Sequence, residues 1–100
     1  MKFDWDEAKN RSNKRKHDMD FEFASMAFLD VHQFSIHDRI EGGEPRWQTY
    51  GEVSGRVVVM VAHTWSEDES GEEIIRVISA RRAKRPERKR YEENRRQTYS

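Results

Sequence analysis

The stretch RVVVMVAHT, residues 56 to 64, contains the longest apolar run in this sequence of 100 residues and decides the fold. It is almost continuously apolar and rich in β-branched residues, which is typical of a strand buried on both faces. We therefore predict a central β-strand here. The rest of the chain is expected to supply its neighbouring strands and the helices that cover it.

Alternation of apolar and polar residues on both sides of this stretch predicts its partner strands. VHQFSI (31 to 36) and RWQTYGEV (46 to 53) are expected to pair through HDRIEGGEP, whose Gly and Pro residues are typical of a hairpin loop. Ser54 and Gly55 then form a tight turn into the central strand. After an acidic loop, SEDESGEE, the segment IIRVIS at 74 to 79 forms the last strand, so the four strands are antiparallel.

Helical signals occupy the two ends of the chain. KFDW at 2 to 5 reads as a short first strand, and Asp6 is a candidate N-cap for a helix that runs to His17. Asp20 is a second candidate N-cap, and Pro86 opens a final helix. The second helix has an apolar face at spacings of three and four, which we assign to the core: Phe21, Ala24, Ala27 and Phe28.

The predicted order is strand, helix, helix, four strands, helix, with a small, mostly antiparallel sheet packed by helices. Helices and strands are kept in separate runs, which is typical of an α+β fold. There are no internal repeats and no low-complexity linker, so the sequence predicts one domain over residues 1 to 100.

The composition of the chain narrows the possible classes of function but does not identify one. Apolar residues make up 34% and charged residues 38%, with a net charge of zero, so the chain lacks the strongly basic profile of a bulk nucleic-acid binder. The charge is nevertheless segregated, since 9 to 16 and everything from Arg81 onward are mostly basic. Patches separated by more than about 8 Å act independently at physiological salt.

Several function classes are not expected. Cysteine is absent, which excludes disulfides and thiolate metal sites, and the His residues show no metal-ligand spacing. No cofactor is predicted. No apolar run is long enough to span a membrane and the N-terminus has no signal-peptide core, so we expect a cytoplasmic protein without membrane contact.

The segment RVISARRAKRPERKRY, residues 76 to 91, carries the candidate chemistry. Strict alternation places Arg76 and Arg81 on opposite faces of the last strand, with Arg81 emerging near the final helix. In that helix Glu87, Arg88 and Tyr91 lie within one turn of each other. Guanidinium groups can bind phosphate, and carboxylate or imidazole groups can move protons. Tyrosine rings and arginine planes can stack on bases. Together these properties suit metal-free RNA cleavage.

A second interpretation stays open for the charged residues of this helix and for His17. A helix rich in Arg and Lys is commonly a solvated face whose Glu residues pair with basic neighbours. His17, which closes the first helix, can be a dipole-stabilising cap or a proton carrier.

A set of short motifs runs along the chain in a fixed order. They are Phe3-x-Trp5-Asp6-x-x-Lys9, Asn13-x-x-Lys16-His17, Phe21-x-x-Ala24 with Phe28 and Asp30, Arg46 with Tyr50-Gly51, Arg76-x-Ile78-Ser79-Ala80-Arg81-x-Ala83, and Glu87-Arg88-x-x-Tyr91. In this order and spacing, the motifs resemble the BrnT family, toxins of bacterial type II toxin–antitoxin systems with a RelE-like fold. The resemblance covers Phe3 to Tyr91 and leaves a tail at 92 to 100.

The resemblance implies a ribonuclease that inhibits translation and is neutralised by a cognate BrnA-like antitoxin with a ribbon-helix-helix region. Operator DNA would be bound only through the antitoxin complex. The expected catalytic residues are Arg81, Tyr91, Glu87 and His17, and the expected RNA-binding residues are Arg76, Arg88, Lys16 and Arg56.

One departure from the family pattern concerns the end of the central strand. Similar sequences often carry Thr-x-Arg there, whereas this chain has Thr64-Trp65-Ser66, and Arg56 or Arg76 is the candidate replacement. The alternative functions are therefore a nucleic-acid-binding module without catalysis and a subunit directed only at a protein partner.

Overall fold

The predicted central strand lies in the middle of a five-stranded sheet in the computed structural model, which describes residues 1 to 98. The strands lie in the order β1-β5-β4-β3-β2; β1 is parallel to β5, and the other neighbours are antiparallel. The elements are β1 (Lys2–Trp5), α1 (Glu7–His17), α2 (Phe21–Ser25), a 3-10 helix (Met26–Leu29), β2 (Phe34–Glu41), β3 (Glu44–Val53), β4 (Val57–Glu67), β5 (Glu73–Arg82) and α3 (Arg85–Thr98). The predicted α+β class and element order are confirmed.

The two faces of the sheet are covered by different helices. One face packs against α1, α2 and the 3-10 helix around an apolar cluster that includes Phe21, Val61 and Ile75. The 3-10 helix approaches β3 so closely that a Cβ at Gly51 would stand 2.3 Å from the carbonyl oxygen of Ala27. A glycine is therefore needed at this position.

The other face is covered only in part, by α3. Tyr91 inserts into a smaller cluster with Tyr50, Val58, Met60 and Ala83. The rest of this face stays open, which leaves room for a site on the sheet itself.

A side chain extends the sheet where β1 ends. Because β1 pairs with β5 only as far as Val77, the following part of β5 lacks a strand on this side. The buried amide of Asn13 donates to the carbonyl oxygen of Ala80 at 2.9 Å and accepts from its N–H at 3.1 Å. This pairing fixes the C-terminal half of α1 beside the end of β5.

Two local predictions were wrong. The segment HDRIEGGEP is mostly strand, because Gly42 and Gly43 alone form the turn, with φ of 60° and 80°. Strict alternation also fails in β5, where Ser79 pairs with Ala62 but Val77 pairs with His63, so one residue bulges out.

The bulge changes which side chains share a face. Arg81 pairs with Met60 and Arg76 with Thr64, and these β4 residues lie on the same face. Arg76 and Arg81 therefore point to the same side of the sheet, contrary to the sequence prediction.

The final helix extends beyond the part of the chain that the family resemblance covers. Residues 92 to 98 of the predicted tail continue α3, and Tyr99 and Ser100 lie outside the described residues. Glu87 accepts from the N–H of Lys84 at 2.7 Å, which caps the first turn. No helix in the described part of the chain is long and apolar enough to cross a membrane.

Candidate functional site

The strand register sets three side chains in a row on the open side of the sheet. Met60 pairs with Tyr50 of β3 on one edge and with Arg81 of β5 on the other. Neighbouring strands are about 4.8 Å apart, so Tyr50 and Arg81 flank a gap of roughly two strand spacings. Glu87 of α3 reaches into this gap and contacts both.

A bidentate ion pair between Arg81 and Glu87 is the centre of this site. Nη1 and Nη2 of Arg81 donate to the two carboxylate oxygens of Glu87 at 2.8 and 3.1 Å. Both side chains are about three-quarters buried, with exposed fractions of 23% and 24%. Paired bonds of this kind fix the plane of the guanidinium as well as its position.

The second partner of the carboxylate is a phenol. The hydroxyl of Tyr50 donates to Glu87 Oε2 at 2.9 Å, and the side-chain amide of Gln48 lies 2.8 Å from the same hydroxyl. We call these four residues the Arg81 cluster: Arg81, Glu87, Tyr50 and Gln48.

The protonation states within the Arg81 cluster follow from these contacts. The hydrogen bonds from Arg81 outweigh partial burial and lower the pKa of Glu87 to about 2, so this carboxylate is ionised near neutral pH. Burial, together with the bond to Glu87, raises the pKa of Tyr50 to about 12. Tyr50 therefore keeps its proton and remains a donor.

Tyr91 lies next to this cluster but is directed away from solvent. Its ring is fully buried, with an exposed fraction of 0%, so no face of the ring is available for stacking on a base. Its hydroxyl donates to Asp30, which also accepts from the N–H groups of His32 and Glu52 at 2.9 and 2.8 Å. Burial and the bond to Asp30 raise the pKa of Tyr91.

Asp30 is ionised despite its partial burial. Burial opposes its ionisation, but the hydrogen bonds from Glu52, Tyr91 and His32 outweigh it and lower the pKa of Asp30. This carboxylate ties the segment before β2 to both β3 and α3, so Tyr91 and Asp30 together fix the position of the helix that carries Glu87.

His17 and Lys16 lie beside the bulge of β5. They line a shallow hollow with Ile78 and Ser79, and those two residues also line the groove on the open sheet face beside Gln48. His17 is half-buried and Lys16 is exposed. The bulge thus connects the end of α1 to the groove next to the Arg81 cluster.

Arg76 lies apart from Arg81 on the same face. The two positions are four β4 residues apart, which corresponds to about 13 Å along the strand. The guanidinium of Arg76 pairs with Asp4 at 2.5 Å and is half-exposed. Arg76 is also a diagonal neighbour of Ser66, whose partner is Ile74, so it is closer than Arg56 to the position where the sequence resemblance led us to expect an arginine.

Arg56 and Arg88 belong to a different part of the molecule. They line a cavity of about 540 Å³ between the turn that joins β3 to β4 and the first turns of α3. We call it the basic cavity. Its cationic lining consists of Arg56, Arg82, Arg85, Arg88 and Lys89.

The sequence did not indicate roles for Tyr50, Gln48 or Asp30. Two signals were available: Tyr50 and Asp30 stand in the motifs of the family resemblance, and alternation along β3 places Gln48 and Tyr50 on one face. Neither signal reveals which helix covers that face. Within residues 1 to 98, no group of His, Cys, Asp or Glu side chains is arranged to hold a metal ion.

Comparisons with known proteins identify the family of this chain. A family profile described as "Ribonuclease toxin, BrnT, of type II toxin-antitoxin system" matches residues 5–87. The crystal structure of the Brucella abortus ribonuclease toxin BrnT is similar, with a TM-score of 0.59 and 28% identity, covering 85% of this chain and 99% of that chain. No curated protein sequence matches significantly.

The fold and the family profile define the class as a ribonuclease toxin of a type II toxin–antitoxin system, which implies an RNA substrate and an antitoxin partner. The chain belongs to the BrnT family. The resemblance inferred from the sequence motifs is therefore confirmed.

Proposed function

We propose that this chain cleaves RNA without a metal ion, by helping a ribose 2′-hydroxyl attack the adjacent phosphorus. The 2′-oxygen–phosphorus bond forms while the bond from phosphorus to the 5′-oxygen breaks, leaving a 2′,3′-cyclic phosphate and a 5′-hydroxyl. One group must take the proton of the 2′-hydroxyl, and one must give a proton to the leaving oxygen.

The donor inventory of Arg81 carries this proposal. Two of its N–H groups bind Glu87, and a third, on Nη1, donates to the carbonyl oxygen of Arg82 at 3.2 Å. A guanidinium has five N–H donors, so one on Nε and one on Nη2 have no acceptor within hydrogen-bond geometry among the described residues, and the Tyr50 hydroxyl lies near the guanidinium. These two are parallel and form a second fork that fits two phosphoryl oxygens, whose charge grows in the transition state.

Glu87 is assigned the orientation of Arg81 in this proposal. A carboxylate with a pKa of about 2 is a weak base near neutral pH, where proton transfer works best with a pKa close to the ambient pH. His17 is the remaining candidate of the predicted set for proton transfer, since the groove reaches it through Ile78 and Ser79. Lys16, which lines the same hollow as His17, supplies positive charge.

Tyr91 acts in this proposal as a positioning residue. Its buried ring and its bond to Asp30 hold α3 against the sheet, and α3 in turn holds Glu87 over Arg81. Arg76, which Asp4 already pairs, is assigned a peripheral contact with the RNA strand.

In the cell, we propose that this cleavage inhibits translation in the cytoplasm. The family description supports a cognate antitoxin that neutralises the toxin. The sequence resemblance supports a BrnA-like ribbon-helix-helix protein, which would carry the contacts of the complex with operator DNA. A reading frame for such a protein beside this one is the observation that would support this assignment.

The cleavage proposal is tested with the purified chain, a single-stranded RNA and EDTA in the buffer. The expected products end in a 2′,3′-cyclic phosphate, and a strand with 2′-deoxyribose throughout stays intact. Arg81→Ala is expected to lower the cleavage rate by about 100-fold or more, the range seen when one donor to a developing charge is removed.

Arg11→Ala is the matched control, because Arg11 is an exposed arginine on α1 that lines none of the hollows described above. It should cleave like the parent chain. If the parent retains RNA but leaves it intact, the non-catalytic binding function replaces this proposal. Cleavage that depends entirely on added metal would contradict the metal-free reaction.

A further inference from the structure

The cations of the basic cavity outnumber the carboxylates that line it. None of the five forms an ion pair with a carboxylate of residues 1 to 98. Two acidic residues, Glu52 and Glu92, also line the cavity, so its formal charge is five positive minus two negative, or +3. Arg95 pairs with Glu52 at 3.5 Å, which reduces the negative charge further.

The Arg81 cluster has the opposite electrostatic character. Arg81 and Glu87 carry one positive and one negative charge, and Tyr50 is neutral, so the cluster has no net charge to attract a polyanion. The attraction of RNA toward the site must therefore come from cations elsewhere. The basic cavity holds the larger group of unpaired cations, five, compared with Lys9 and Lys16 at the hollow beside the bulge of β5.

Helix α3 lies between the Arg81 cluster and the basic cavity and contributes side chains to both. Glu87 and Tyr91 lie four residues apart on the face toward the open sheet, whereas Arg88 and Glu92 lie four residues apart on the face toward the cavity. Arg82, the residue after Arg81, lines the cavity. A strand bound at Arg81 thus reaches the cavity by passing the start of α3.

We propose that the basic cavity binds phosphate groups of the RNA strand beyond the cleaved link. The cavity then sets the affinity for RNA, while the Arg81 cluster carries out the cleavage. The inference rests on the proposed ribonuclease function and adds a substrate-binding region to it. Unpaired guanidinium groups suit this role because they bind phosphate through two parallel N–H groups.

An acidic segment of a protein partner is the competing occupant of the cavity. RNA is favoured because the family profile describes a ribonuclease, whose substrate is a polyanion, and because the +3 formal charge of this open concavity is complementary to it. The experiment therefore includes a polyglutamate peptide beside the RNA.

The test measures binding of a fluorescent, 2′-O-methylated single-stranded RNA, which lacks the attacking hydroxyl, at several salt concentrations. Arg56→Gln/Arg88→Gln is expected to weaken binding and to reduce the slope of log K against log salt by about 1.4, since each phosphate contact on a single strand contributes about 0.7. Arg11→Gln, outside the cavity, should keep the parent slope.

Cleavage kinetics with unmodified RNA separate this inference from the proposed function. The double variant should raise KM by a larger factor than it lowers kcat, whereas Arg81→Ala should mainly lower kcat. Melting curves of the variants check that both fold.

An unchanged salt slope and KM in the double variant would overturn the inference while leaving the cleavage proposal intact. It would also be overturned if the polyglutamate peptide bound through Arg56 and Arg88 while RNA binding ignored both residues. A parent chain that binds the methylated RNA through the cavity but cleaves nothing would instead contradict the proposed function.

Discussion

The Arg81 cluster and the basic cavity both contain arginine, but its charge is paired with a carboxylate in the cluster and unpaired in the cavity. Arg81 is held by two hydrogen bonds from its own guanidinium to Glu87, while the five cations of the cavity lack carboxylate partners in the described chain. A group that must meet a reacting phosphate at fixed geometry benefits from a rigid partner. Groups that attract a polyanion from a distance act through net charge, which a partner would cancel.

The largest expected effect comes from removing the side chain that holds α3 between the two regions. Tyr91→Ala should lower the free energy of unfolding by about 3–5 kcal/mol, because a fully buried aromatic ring leaves a cavity and lost contacts. Urea denaturation measures this change.

Arg88→Ala is the control on the same helix, and it should shift the unfolding free energy by no more than about 0.5 kcal/mol because the side chain is exposed. Equal effects of the two substitutions would contradict the assignment of Tyr91 as the residue that docks α3.

A finer substitution distinguishes positioning from direct catalysis by Tyr91. Tyr91→Phe keeps the ring and removes the hydroxyl that donates to Asp30, which should cost about 1–3 kcal/mol of stability. Well below the melting temperature, cleavage should fall by less than about tenfold, since the Arg81 cluster stays in place. A far larger loss of kcat in a folded variant would show that the hydroxyl takes part in the reaction itself.

The fold was largely predictable from the sequence, because local signals and tertiary packing agree. Asp6 and Asp20 accept from backbone N–H groups at the starts of α1 and α2, as their positions predicted. Ser54 forms its turn with a φ of 58° beside Gly55. The apolar run at 57 to 62 is the centre of the sheet.

The site was predictable only in part, because its geometry depends on long-range contacts. The spacing of Glu87 and Arg81 suggested proximity, but Tyr50 is 37 positions from Glu87 and Asp30 is 61 positions from Tyr91. The bulge that turns Arg76 to the same face as Arg81 has no mark in the sequence, since each residue around it fits an ordinary strand. Tyr91 was expected at the RNA, whereas its ring is fully buried between α3 and the sheet, a contact that the sequence did not indicate.

A change of pH is expected to act on the Arg81 cluster, because its carboxylate, Glu87, titrates. The pKa of Glu87 falls from its ordinary 4.5 to about 2 in the folded chain, so its ionised form stabilises the fold. That contribution is complete above about pH 4.5 and is lost as the pH falls toward about 2.

The destabilisation caused by Glu87→Gln should therefore be largest near neutral pH and should shrink as the pH falls through this window. Unfolding free energies of parent and variant at several pH values measure it. Glu93→Gln, at an exposed position of the same helix, is the control and should show a small difference throughout. A penalty for Glu87→Gln that grows on acidification would reverse the sign and refute the pairing as its cause.

The smallest expected effect concerns Arg76, a cation that lies on the sheet but is already paired. Asp4 neutralises much of its charge, so Arg76→Gln should reduce the salt slope of RNA binding by less than the value of about 0.7 expected for Arg88→Gln. Its effect on stability should stay below about 1 kcal/mol, as for other exposed ion pairs. Removing the partner instead, with Asp4→Asn, should strengthen RNA binding, because it frees the guanidinium. If Arg76→Gln and Arg88→Gln changed the slope equally, the distinction between paired and unpaired cations would not govern how this chain attracts RNA.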